Sequence, residues 1–107
     1  MTHTQAATTV AQTILDQLGG QRFVGMTGAK HLLSIEKGRG LQFKLPSNFA
    51  KDSINTVRII LRWDDLYDVE YGYARGVVYR VISKSESLYF DDLQRNFSDA
   101  TGLDTTL

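Results

Sequence analysis

The stretch from residue 54 to residue 82 alternates between apolar and polar side chains. Every second residue is apolar over residues 57–63, again over 67–73 and again over 77–81. Successive side chains of a strand point to opposite faces, so this period of two predicts a sheet with one buried face. The other face mixes arginines with carboxylates, which can pair across neighbouring antiparallel strands.

Helical periodicity frames this alternating region at both ends. Apolar residues recur at three- and four-residue steps over residues 6–18, which predicts a helix with one apolar stripe, and Gly19 and Gly20 are its expected stop. A second stripe predicts a helix over residues 90–101, ended by Gly102. The expected strands cover residues 23–26, 32–36, 41–45, 55–63, 67–73 and 77–83.

Turn residues separate these segments. Residues 27–30 read as a turn, and the glycine-rich residues 37–40 predict a hairpin loop. Residues 64–65 and 74–76 are expected as two further turns, and the polar residues 47–53 as the most mobile loop.

The order of elements predicts an α+β fold. We expect an antiparallel sheet of about five to six strands, with an N-terminal and a C-terminal helix packed on one face. A length of 107 residues suits a single domain over residues 1–107, with the polar residues 1–5 as a disordered tail.

Composition narrows the classes of function. Lys plus Arg and Asp plus Glu number 12 each, so the net charge is zero, which disfavours general nucleic-acid binding and is compatible with a homo-oligomer. The absence of cysteine excludes disulfides, thiolate metal sites and cysteine nucleophiles. No apolar run approaches the roughly 18 residues of a membrane span, and no secretory signal stands at the start. We therefore expect a cytoplasmic protein without a membrane partner.

The sequence offers few groups for catalysis. His3 and His31 are the two histidines, and Ser34 lies close to His31 without the G-x-S-x-G motif of a nucleophilic serine. Residues 25–30 contain glycines and a lysine, but their spacing does not fit a phosphate-binding loop. These observations predict a protein that is not an enzyme and that needs no cofactor.

Four acidic residues lie close together at Asp64, Asp65, Asp68 and Glu70. Clustered carboxylates can hold magnesium, because hard cations prefer oxygen ligands. The alternation, however, puts Asp68 and Glu70 on the outer face of a strand, where Arg58, Arg62 and Arg80 are candidate partners. We interpret the cluster as turn residues and ion pairs and predict no metal site.

Aromatic residues crowd the second half of the chain and have arginines close by. Most of these rings fit a core, but tyrosine and arginine on a surface can also anchor a protein partner or stack on single-stranded bases. The candidate binding residues are Arg58, Arg62, Tyr71, Tyr73, Arg75 and Arg80.

Several short motifs are spread from the first helix to the end of the chain. They are Leu-Gly-Gly at 18–20, Met-Thr-Gly-Ala-Lys at 26–30, Leu-Gln-Phe at 41–43, Asp-Leu-Tyr-Asp-Val-Glu-Tyr-Gly at 65–72, Tyr-Phe-Asp-Asp-Leu-Gln at 89–94 and Thr-Gly-Leu at 101–103. In combination they resemble a widespread family of small uncharacterised proteins carried by bacteriophages, prophages and conjugative elements. The resemblance implies a mobile-element setting in a bacterial host, and it brings no catalytic residue or cofactor with it.

The setting and the missing catalytic groups together predict an accessory protein that acts by binding. We expect a non-enzymatic phage or mobile-element protein that binds a host or phage protein, with inhibition of a bacterial defence system as one such role. The alternative is a small nucleic-acid-binding module that uses the sheet aromatics and arginines.

Overall fold

The computed structural model describes residues 2–105, and the side chains of residues 10–105. Within these residues the chain forms three α-helices and five strands. In chain order they are α1 (Thr2–Leu18), α2 (Gly20–Thr27), β1 (Lys30–Ile35), β2 (Gly40–Lys44), β3 (Thr56–Leu61), β4 (Tyr67–Arg75), β5 (Val78–Leu88) and α3 (Leu93–Thr101). The strands form one antiparallel sheet in the order β1-β2-β3-β4-β5, so the predicted α+β fold is confirmed.

The predicted strand over residues 23–26 is wrong, because these residues belong to helix α2. Gly19 has a φ of 130°, a conformation that breaks α1 and lets a second helix start at once. Phe23 and Thr27, four residues apart, are both buried, which is the spacing of one helix face. Gly28 then ends the helix with a left-handed φ of 73°.

The core lies between one face of the sheet and the helices. Phe43, Val57 and Tyr71 sit opposite one another in β2, β3 and β4, so they share this face. The ring of Phe23 in α2 packs edge-on against the ring of Phe43, with 5.4 Å between the ring centres. The ring of Phe97 in α3 packs against Phe23 with 5.0 Å between the ring centres. Such aromatic pairs add stability beyond the area that they bury.

Hydrogen bonds tie α3 to the rest of the domain. The Tyr71 hydroxyl donates to Asn96 Oδ1 at 2.7 Å, and Asn96 Nδ2 donates to Ser85 Oγ at 2.9 Å. Gln94 Nε2 donates to the carbonyl oxygen of Leu18 at 2.8 Å, which satisfies one of the free carbonyls at the end of α1. α3 therefore joins β4, β5 and α1.

Several strand ends differ from the sequence prediction, those of β3 and β5 with consequences for the surface. β3 ends at Leu61, so Trp63 leaves the predicted buried row and is 88% exposed. β5 continues to Leu88, five residues beyond the predicted end at residue 83, because a polar segment still pairs with β4 across irregularities in register. Among the described residues, no helix is long and apolar enough to cross a membrane.

Candidate functional site: the β4–β5 hairpin

The predicted binding residues do not form one surface, because the sheet distributes them over three environments. Tyr71 is only 1% exposed, so its ring belongs to the core and cannot contact a partner. Burial, with a smaller contribution from the Asp99 carboxylate, raises the pKa of Tyr71. Tyr71 is therefore corrected from a binding residue to a core residue.

Arg62 is held by its own neighbours. Its guanidinium lies 3.0 Å from Asp64 Oδ2 and 3.5 Å from Asp68 Oδ1, and it donates to Ser87 Oγ at 2.6 Å. Asp68 Oδ1 also accepts the backbone N–H of Ser87 at 3.1 Å. This network links the turn at residues 62–66, which we call the β3–β4 turn, to the end of β5. Arg62 is therefore occupied within the domain.

Arg58 belongs to the face of the sheet opposite the core. It lies directly opposite Glu70, with 3.8 Å between Arg58 Nη1 and Glu70 Oε2. The Tyr79 hydroxyl donates to the same Glu70 oxygen at 2.6 Å. Burial first, and this hydrogen bond second, raise the pKa of Tyr79. The predicted partnership of Arg58 and Arg62 with the strand carboxylates is thus confirmed, whereas the one predicted for Arg80 is wrong, because Arg80 lies opposite Tyr73 on the other side of the sheet.

Gly72 makes room for the Tyr79 ring on this face. A Cβ at position 72 would lie 2.5 Å from the Tyr79 hydroxyl oxygen and 2.6 Å from the nearest ring carbons. The ring therefore lies over a glycine on the neighbouring strand, where no other residue would fit without moving it. This contact fixes the orientation of the Tyr79 side chain on the sheet.

Three of the four carboxylates of the acidic cluster are bound by other side chains of the domain. Asp64 and Asp68 bind Arg62, and Glu70 binds Arg58 and Tyr79. Asp65, in the β3–β4 turn, has a left-handed φ of 65°. Among the residues that the structure describes, no group of three or more histidine or carboxylate side chains is placed to hold a metal ion.

The remaining predicted residues come together on the hairpin of residues 73–81, which we call the β4–β5 hairpin. Tyr73 lies opposite Arg80, and Arg75 lies opposite Val78, so these four share one side. The guanidinium carbon of Arg80 lies 5.7 Å from the centre of the Tyr73 ring, a cation–π distance. Within the described part of the chain, neither Arg75 nor Arg80 forms an ion pair.

Large apolar side chains are exposed on the same hairpin. Val77 stands fully in solvent at the turn, Val78 is 60% exposed, and Tyr79 and Val81 are exposed as well. Sequence reasoning placed Val77 and Val81 in a buried row and missed this surface. The sequence did contain a sign of this surface. Residues 77–82 are all apolar except Arg80, so this strand carries apolar side chains on both of its faces. A sheet that is covered on one face must expose one of these two rows.

The base of the hairpin is anchored, whereas its tip stands clear. The side chain of Asn55 accepts the N–H of Ala74 at 2.8 Å and donates to the carbonyl oxygen of Ala74 at 2.9 Å, so it extends the ladder beyond the start of β3. Beside this clamp lies an open cavity of about 270 Å³. Its lining residues are Ser47, Asn48, Ser53, Asn55, Tyr73, Ala74 and Arg75.

A second set of exposed rings lies at the opposite end of the sheet. Trp63 follows the end of β3, and Tyr89 and Phe90 follow the end of β5. Arg62, in the β3–β4 turn, is occupied by carboxylates, and Arg39 donates to the carbonyl oxygen of Arg62 at 3.0 Å. The two arginines beside these rings, Arg39 and Arg62, thus both bond to other groups of the domain.

Comparison with known proteins leaves the function open. The sequence matches no protein-family model, no curated protein and no solved structure at a significant level. The resemblance to a family carried by phages and other mobile elements stays a prediction. What the chain binds must therefore follow from its own surface chemistry.

Proposed function

We propose that this chain is a non-enzymatic accessory protein of a phage or another mobile element that binds a host or phage protein through the β4–β5 hairpin. The supporting observation is the hairpin itself, where exposed apolar side chains occur together with two arginines that form no ion pair among the described residues. Clustered apolar surface of this kind is typical of interaction sites. Tyrosine and arginine are also the residues that most often carry the binding energy of an interface.

A role in a bacterial host is the setting that the sequence motifs favour. A small protein that works by occupying a surface can inhibit a larger complex, and inhibition of a bacterial defence system is the specific role that we propose. A cytoplasmic location and the absence of a cofactor belong to the same proposal.

Nucleic-acid binding is the second candidate, and a smaller surface now supports it. Tyr73 with Arg75 and Arg80 would stack a base and contact phosphates. Tyr71 is buried, and Arg58 and Arg62 are paired with carboxylates, so the other half of the predicted surface is lost. Zero net charge also disfavours this candidate.

Affinity capture from a bacterial host lysate, read by mass spectrometry, tests the proposal. The full chain is compared with Val78→Lys, which places a charge on the hairpin, and with Leu33→Lys, a matched change at an exposed residue of the other edge strand. We expect one host or phage protein to be retained by the wild type and by Leu33→Lys and lost from Val78→Lys. Equal retention by all three, or retention of nothing above background, would contradict the proposal.

Fluorescence anisotropy with a labelled single-stranded oligonucleotide at low salt tests the second candidate. Salt-sensitive binding that disappears in Arg80→Ala would favour nucleic acid over a protein partner. An unchanged anisotropy would remove that candidate.

A further inference from the structure

β5 is an edge strand, and its two halves differ. Over residues 83–88 the pairing with β4 contains a register shift, the segment is rich in serine, and Lys84 and Glu86 point into solvent. A bulge and charged side chains are the devices by which natural sheets prevent a further strand from pairing at an edge. Residues 78–81 pair without a register shift and carry a single charge, on Arg80, so we call them the unprotected half of β5 and residues 83–88 the protected half.

The unprotected half of β5 is regular. Val78, Tyr79, Arg80 and Val81 pair one by one with consecutive residues of β4, without a shift in register. Their outer N–H and C=O groups point away from the sheet, because no described strand lies beyond β5. The segment is also apolar on both sides, since Val78 lies on one side and Tyr79 and Val81 on the other. It is therefore a template on which an extended chain can pair.

We propose, on the basis of the proposed function, that the partner supplies an extended acidic segment that pairs with residues 78–81 as an additional strand. Main-chain hydrogen bonds to the edge provide the affinity, and alternate side chains of the added strand provide the specificity. Apolar side chains of the partner pack against Tyr79 and Val81, which share one side of the strand. Its carboxylates meet Arg80 and Arg75, which form no ion pair among the described residues.

Charge decides between this occupant and a second copy of the chain. Pairing of residues 78–81 with the same segment of another copy would bring two Arg80 side chains close together, and each would carry its own Arg75 nearby. Like charges on adjacent strands destabilise the pairing. An acidic segment is attracted by the same arginines, so this edge favours an acidic segment over a second copy of the chain.

Selection of short random peptides on the immobilised full chain tests the inference. We expect the enriched peptides to alternate apolar with acidic residues. The best of them, made with a fluorescent label, should bind the chain and protect the backbone amides of residues 78–81 from hydrogen exchange. Arg80→Glu should weaken its binding about tenfold or more, as expected for the loss of a close charge pair.

Matched variants make the result specific. Lys84→Glu reverses a charge in the protected half of β5, and it should leave binding within roughly twofold, because the site lies outside the paired segment. Val78→Glu supplies a second hairpin variant in case Arg80→Glu does not fold, and it should also weaken binding, because its carboxylate lies on the side of Arg75 and Arg80 and repels the acidic segment. Circular dichroism checks that each variant is folded.

Four results would overturn the inference. They are no enrichment, enrichment of basic peptides, protection confined to other amides, and equal losses from Arg80→Glu and Lys84→Glu. A dimer in sedimentation velocity that Val78→Lys dissolves would assign the edge to a second copy instead. Peptide binding without a captured host or phage protein would contradict only the proposed function, so the two failures can be told apart.

Discussion

The β3–β4 turn and the β4–β5 hairpin both join neighbouring antiparallel strands, and both carry arginine beside exposed apolar residues, yet they treat the charge differently. In the turn, Arg62 meets two carboxylates and a serine. In the hairpin, Arg75 and Arg80 meet valine and tyrosine in register and form no ion pair among the described residues. The arginine of one connection is paired with the chain's own carboxylates, whereas the arginines of the other are, in our proposal, met by a partner.

The largest effect is expected at the base of the hairpin. Asn55→Ala removes both hydrogen bonds to Ala74 and leaves two partly buried backbone groups without partners, so the free energy of unfolding should fall by about 2 kcal/mol. Chemical denaturation measures the change, and hydrogen exchange should rise over residues 73–81. Asn48→Gly, at an exposed residue with a φ of 60°, is the control and should leave stability unchanged. Equal losses from both would show that the clamp has no special role.

Next in size is the loss of the network in the turn. Arg62→Ala leaves Asp64 and Asp68 without their cation, and it should lower the free energy of unfolding by about 1 kcal/mol, because the network is only partly buried. Arg80→Ala, at an exposed residue that forms no ion pair among the described residues, should change the free energy of unfolding by less than about 0.5 kcal/mol. A larger loss from Arg80→Ala than from Arg62→Ala would reverse the comparison of the two connections.

A smaller effect is expected at high pH, through Tyr79. Its folded-state pKa is raised by burial and by the hydrogen bond to Glu70. The unfolded state therefore loses the hydroxyl proton of Tyr79 at lower pH than the folded state does. The contribution of Tyr79 to stability is thus constant below the ordinary tyrosine pKa of about 10 and falls as the pH rises above it. Burial raises the pKa values of Tyr67 and Tyr71 too, so part of the fall persists without Tyr79. Denaturation at a series of pH values should show a shallower fall for Tyr79→Phe than for the wild type, and identical slopes would contradict the prediction.

The smallest effect is expected in the protected half of β5. Lys84 Nζ lies 4.0 Å from Glu86 Oε2, and both side chains are more than half exposed, so their ion pair is screened by water and salt. Replacing both by alanine should change the free energy of unfolding by less than about 0.5 kcal/mol in thermal or chemical denaturation. A clear loss would show that the bulged half of the strand is held by charge.

The sheet was predictable because its residues repeat a period of two over long stretches, whereas short segments were not. Over residues 23–26, four residues cannot distinguish a period of two from one of 3.6, and the buried pair of Phe23 and Thr27 decides for a helix. Pairing of the strand carboxylates with Arg58, Arg62 and Arg80 was predicted from strand neighbours, and among the described residues it is found for Arg58 and Arg62 but not for Arg80.

The candidate site was predictable only in part. Tyr71 and Tyr73 are two residues apart in β4, so their side chains point to the same face of the sheet. Only the positions of the helices show that Tyr71 is covered while Tyr73 reaches beyond the core. The same limit applies to Val77 and Val81, whose exposure depends on where the helical layer ends. Which residues a layer covers is a property of tertiary packing, and local alternation does not contain it.

The clamp between Asn55 and Ala74 also bears on how fast and how tightly a partner could associate. A flexible strand has to surrender its conformational entropy when it binds, which weakens the complex. One side-chain amide holds this end of β4 in extended form before any partner arrives. The hairpin is thus preorganised, and association need not include a folding step of its own.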